Sequence, residues 1–237
     1  MGRVLLLILV FFPFAVFSQA TISGKVVNQA GGKPVAGATV FLNNTTITGK
    51  PAPVSGAFAL KNVKPGHYDL VVTAPGFGIY AQSVNVDGRN ITLQAITLTA
   101  KLPVAAPDVS LPENSPTVFN KNLGLFKSEF LGSSSRAKEC KIENPDVLEM
   151  RYDEHTSTLT AATNDFLVIT NNGLGYKVRY LIKKFSLSNG EERSVSYSGY
   201  ALFEKLKGPA RQEQVWQEGR QEAYEGSPAH FLSAAVN

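Results

Sequence analysis

Residues 22–77 decide the fold: I-S-G-K-V-V at 22–27, P-V-A-G-A-T-V-F-L at 34–42, and G-A-F-A-L-K-N-V-K-P-G-H-Y-D-L-V-V-T-A-P-G-F at 56–77. Short apolar runs, each closed by glycine or proline, are the pattern of antiparallel strands joined by tight turns. Strands are expected at 21–28, 35–43, 67–74, 79–86 and 91–99, with another around Phe58 and Leu60 and a polar loop or weak strand at 45–56. The first is expected to lie at a sheet edge. Val35, Ala38, Val40, Leu42, Phe58 and Leu60 are expected in the core, and Ile91, Leu93, Ile96 and Leu98 alternate in the closing segment. About seven short strands at this spacing predict a small β-sandwich. No acid, histidine, cysteine or serine in the stretch is placed like a catalytic group.

The residues before it read as a targeting device. Arg3 supplies a positive start, and residues 4–17 are apolar apart from Pro13. That run is shorter than the roughly 18 residues a membrane-spanning helix needs. Small residues at Val16, Ser18 and Ala20 fit signal-peptide cleavage after 18 or after 20. An exported chain that does not span the membrane after cleavage is expected. Cys140 is the only cysteine, so no internal disulfide can form and the fold must rest on its core. Cys140 itself is expected to be a small buried residue.

Charge is shared unevenly. Residues 19–107 hold seven Lys+Arg against two Asp+Glu, whereas residues 108–237 hold 15 against 17. The basic residues of the front half are scattered and not interleaved with aromatics, which argues against nucleic-acid binding.

Pro103, Pro107, Pro112 and Pro116 lie in an alanine-rich segment, read as a semi-rigid linker over 101–118. A second, α+β unit is expected over 119–237. Short helical turns are predicted at 126–132 and 134–140, then strands at 147–152, 159–163, 166–171, 176–187 and 193–204. In the two long strands Val178, Tyr180, Ile182 and Phe185, and Val195, Tyr197 and Leu202, have the spacing of a half-buried sheet. Ser188-Asn189-Gly190 between them predicts a hairpin. A polar helix is expected over 210–225 with Val215, Trp216, Gly219 and Ala223 on its packed face. Gly226 is its expected cap, with Ser227 and Pro228 opening a last short helix.

Chemistry-bearing patterns are sparse. His67, His155 and His230 have no close-spaced partner of the kind zinc sites use. Asp153-Glu154-His155 at a strand end reads as a solvated turn, since neighbouring strand residues point to opposite faces. Ser133-Ser134-Ser135 lacks the frame of a nucleophile elbow. Trp216, Arg220 and Tyr224 recur at i, i+4 and i+8, with His230 on the following helix, and form the candidate interaction ridge. An arginine between aromatics can stack as a recognition surface, and the same ridge can instead dock on the unit's own sheet.

Taken together, the tokens Gly24, Pro34, Gly37, Gly56, Pro65, Gly66, Tyr68, Pro75, Gly76 and Phe77 resemble the carboxypeptidase regulatory-like domain, a transthyretin-like (prealbumin-like) sandwich. The resemblance covers residues 21–100. It departs before Gly56, where Pro53-Val54-Ser55 replaces the acidic turn of many members. The segments at 130–145, 167–180 and 216–232 resemble the region C-terminal to such domains in exported Gram-negative envelope proteins. There the chain commonly runs on past the H-F-L motif, so a natural short form and a truncated product both stay open. In that setting the N-x-[ST] sites at Asn43, Asn44 and Asn90 are expected to be bare.

The resemblance implies a mainly β, non-enzymatic protein of the periplasm, outer membrane or cell surface. Its sandwich would be a binding or spacer module for an envelope protein or polysaccharide, without cofactor or metal. The alternatives are a structural adaptor for an outer-membrane partner, and a hydrolase with its site among Asp153, Glu154, His155 and His230.

Overall fold

The computed structural model describes residues 19–101, 115–190 and 192–225. The segment read as a signal peptide, most of the range read as a linker, and the cap and last helix expected after 225 lie outside these residues. The front half holds β1 (Ala20–Asn28), β2 (Thr39–Leu42), β3 (Thr48–Gly49), β4 (Ala57–Val63), β5 (Gly66–Thr73), β6 (Tyr80–Val86), β7 (Ile91–Thr92) and β8 (Ile96–Leu98). They make two facing sheets, β4-β1-β7 with β8 also on β1, and β3-β2-β5-β6. Ile22, Val26, Val40, Leu42, Leu60, Leu70 and Val72 are fully buried between them. All six expected core residues from Val35 to Leu60 are buried.

The expected edge position of the first strand is corrected. β1 pairs antiparallel with β4 on one side and parallel with β7 and then β8 on the other. Its nine residues are long enough to serve both short closing strands, which places it at the centre of its sheet.

The back half opens with α1 (Pro116–Phe130), earlier and longer than the expected turns at 126–132, and its first residues fall inside the range read as linker. Ser115 is the N-cap, accepting from Val118 N at 3.3 Å, and Pro116 sits in the first turn, where its fixed φ favours a helix. Proline here opens an element instead of marking a linker. The expected turn at 134–140 is a 3-10 turn over Ala137–Glu139. The strands are β9 (Cys140–Ile142), β10 (Leu148–Asp153), β11 (Thr158–Thr163), β12 (Leu167–Asn171), β13 (Tyr176–Asn189) and β14 (Arg193–Lys205). The sheet order is β10-β11-β13-β12-β9, with β14 along the other side of β13.

The β13–β14 ladder carries a bulge. Ile182 faces Gly199 and Lys184 faces Ser198, which leaves Lys183 as the extra residue. The bulge switches the alternation, so Ile182 and Phe185 both reach the core under α1, joining Leu123, Phe126, Leu159 and Leu167. Gly199 permits it, because a Cβ there would lie 2.2 Å from the Leu181 carbonyl oxygen.

The two halves meet through a second apolar layer. Phe41 on β2 and Val71 on β5 point away from the sandwich core and pack with Phe166, Leu181 and Leu202 of the back sheet. All but Phe166 are at most 1% exposed, and the Phe41 and Phe166 rings lie 5.7 Å apart. Backbone closes the seam as well. Asn44 N donates to Ala201 O at 2.8 Å and Phe203 N to Thr45 O at 2.9 Å, while Asn43 Oδ1 accepts from Ala201 N at 2.9 Å. The 43–45 turn of the sandwich thereby adds a short parallel partner to β14.

Candidate functional site

The strongest sequence candidate is the ridge on α2 (Ala210–Glu225). Its first members turn inward. Trp216 is 8% exposed and its Nε1 donates to Asn172 O at 2.7 Å. Arg220 Nη1 donates to Leu174 O at 2.7 Å, and its guanidinium stands 5.2 Å from the centre of the Tyr176 ring. Both grip the 172–176 turn between β12 and β13. Gly175 makes the seat: its φ is +65°, and a Cβ would sit 2.3 Å from Trp216 Cδ2. Arg136 adds an ion pair to Glu222.

Tyr224 is 46% exposed, and His230 lies outside the described residues. Of the expected packed face, Trp216 and Gly219 are buried, but Val215 and Ala223 are exposed. The helix rests on one turn, not on a broad sheet face, so only the narrow stripe 216–219–220 is covered. The opposite side offers Gln214, Gln217, Glu218, Gln221 and Glu225, a polar surface with glutamate charge.

A second concavity of about 700 Å³ is lined by residues of α1, β10, β11 and the bulge. Phe119 and Phe185 give it apolar walls, Asn122 is buried on α1, and Glu149, Arg151 and Lys183 bring mixed charge. Sequence reading missed this groove because the bulge that exposes consecutive Lys183 and Lys184 is a ladder property. The parity break between Ile182 and Phe185 was its only written trace.

The remaining titratable candidates are dispersed. Asp153 accepts from the backbone N–H groups of His155 at 2.8 Å and Thr156 at 3.3 Å. Those donors, with Thr156 first, hold its carboxyl below the ordinary range, and residues 153–156 are exposed. His67 is exposed on β5. Cys140 is half-buried rather than buried, its Sγ lying 3.6 Å from Arg136 O. Burial, then the nearby Glu139 charge, push its thiol upward, which disfavours the reactive thiolate. Among the described residues no group of His, Cys, Asp and Glu is placed to hold a metal ion.

These features define a mainly β protein of two docked units whose conspicuous side chains serve packing. Residues 21–99, the front half, match the family model of the carboxypeptidase regulatory-like domain. No curated protein matches the chain. Among solved structures, a mutant type II cohesin–X-dockerin complex from Acetivibrio cellulolyticus is 18% identical over 46% of this chain and 73% of its own, with a TM-score of 0.28. A DUF3823 family protein from Bacteroides ovatus is 12% identical over 80% of this chain and 82% of its own, with the same TM-score of 0.28. The Bacillus anthracis TIE protein is 12% identical over 81% of this chain and 32% of its own, again at 0.28. A TM-score this low supports no argument about the whole chain.

Proposed function

We propose that this is an exported, non-enzymatic protein of a bacterial envelope. In it the regulatory-like domain is a spacer that holds the back half in a fixed attitude toward a protein partner. The observation that carries the reading is the seam. Phe41, Val71, Leu181 and Leu202 are buried across it and backbone hydrogen bonds close it, so the front half acts as a platform for the back half. Arg3, the apolar run at 4–17 and the small residues at 16–20 support export. Among the described residues no helix is long and apolar enough to cross a membrane.

A protein partner is favoured over a polysaccharide by where the exposed aromatics lie. Tyr197 on β14 and Tyr224 on α2 are the large exposed ones among the described residues, and they sit on separate elements instead of forming one stacking platform. The hydrolase alternative gains no support from the exposed Asp153 turn, whose carboxylate is engaged by its own backbone. The test is affinity capture from the envelope fraction of the source organism, with glycan-array binding in parallel. Reproducible enrichment of one envelope protein is expected. Glycan binding without protein capture, or neither, overturns the reading.

A further inference from the structure

Among the described residues, the outer edge of the back sheet is hydrogen-bonded at one end and bare at the other. Among the described residues, outward hydrogen bonds from β14 occur at Ala201 and Phe203, where the 43–45 turn joins it. Residues 193–198 are all exposed, Val195 to 38% and Tyr197 to 54%. In an antiparallel ladder, alternate residues aim both their N–H and C=O to the same side. Ala201 and Phe203 aim theirs outward, and the bulge lies on β13, so the alternation runs unbroken along β14. Gly199, Tyr197, Val195 and Arg193 therefore offer their backbone groups outward too. Residues 194–200, S-V-S-Y-S-G-Y, hold no proline and no charge, the usual devices that blunt an edge.

We propose that this edge pairs with β14 of a second copy, antiparallel about a two-fold axis at Ser196. The alternation demands that outward-facing residues meet each other. The register centred on Ser196 satisfies this over 193–199 and stops short of Ala201, whose outward groups are already bonded. In that register Val195 faces Tyr197 of the second copy twice, a β-branched–aromatic pair of the kind that stabilises antiparallel strands. Ser194 faces Ser198, and Arg193, the one charge in the run, faces Gly199, so no like charges are opposed. Tyr197 is already positioned, its ring 5.4 Å from that of Phe130 on α1. A two-fold axis makes the contact self-complementary and closed, so it ends at a dimer. The inference stands independently of the envelope reading.

Cysteine cross-linking of the purified protein in a Cys140→Ser background tests it. Residues on the axis at a non-hydrogen-bonded position lie with Cα atoms about 4.5 Å apart, within disulfide range. Ser196→Cys is expected to form a disulfide-linked dimer on mild oxidation. Ser194→Cys alone is expected not to, whereas Ser194→Cys mixed with Ser198→Cys cross-links as a heterodimer. Equal cross-linking of Ser196→Cys and Ser194→Cys, or none in any variant, overturns the proposal. In sedimentation velocity the unmodified protein should show a dimer fraction that grows with concentration. Tyr197→Pro removes an outward N–H that β13 does not use, and Val195→Lys places a charge on the edge; each should leave a folded monomer. A monomeric unmodified protein at every concentration, or undiminished dimer in a folded Val195→Lys variant, sinks the idea.

Discussion

The two sheets of the sandwich meet their surroundings differently. In β4 the burial alternates, with Phe58 and Leu60 inside and Ala59 and Lys61 in water, as expected of a sheet with one wet face. In β2 and β5 it does not: Val40-Phe41-Leu42 and Leu70-Val71-Val72 are buried without interruption. The second sheet has no wet face at these strands because the back half covers it. The front half thus contributes to two cores, and the seam is built like a domain interior.

The contrast predicts an order of mutational costs. Phe41→Ala should be the most damaging, at about 3–5 kcal/mol, because it empties a fully buried site between two sheets. Chemical denaturation measures it, and a loss below about 1 kcal/mol would mean that the seam is loosely packed. Asn43→Ala removes the acceptor for Ala201 N while sparing the apolar layer, and should cost about 1 kcal/mol. Hydrogen exchange should speed up first at Ala201 and Phe203, and uniform change across both halves would contradict a local role. Lys61→Ala on the wet face of β4 should shift stability by no more than about 0.5 kcal/mol, and a larger effect would break the comparison.

The smallest effect concerns acid. Backbone donors lower the folded pKa of Asp153, so its stabilising contribution is present above the unfolded value of about 3.9 and is lost as pH falls. Asp153→Asn should flatten the acid flank of a melting-temperature profile below about pH 4 and leave the neutral region nearly unchanged. A variant whose profile parallels the parent's throughout would show that the turn does not hold the carboxylate.

Much of the strand layout is legible in the sequence, because alternation and turn residues are local signals. The Ser188-Asn189-Gly190 hairpin and the helix opening at Ala210 lie where those signals put them. The second buried face of 40–42 and 70–72 escapes that reading, because alternation treats each strand as one-sided and the cover over Phe41 and Val71 comes from distant residues of the back half. The central place of β1 depends on pairing with β7 and β8 nearly 70 residues away, which no local window contains. The start of α1 is hidden by its proline, although Ser115-Pro116 is the same opening signature as Ser227-Pro228. For the ridge, periodicity groups Trp216 with Arg220, but only the seat over Gly175 shows that both face inward.

The bond between Asn43 and Ala201 joins residues 158 positions apart. Contacts of such separation form late, since closing so long a loop first costs chain entropy. The sandwich can therefore assemble while the rest of the chain is still being made, but its outer apolar layer stays uncovered until β14 exists. During that interval Phe41 and Val71 are a hazard for self-association. Interrupted refolding should reveal it as an early species that binds a hydrophobic dye and loses it only as β14 docks.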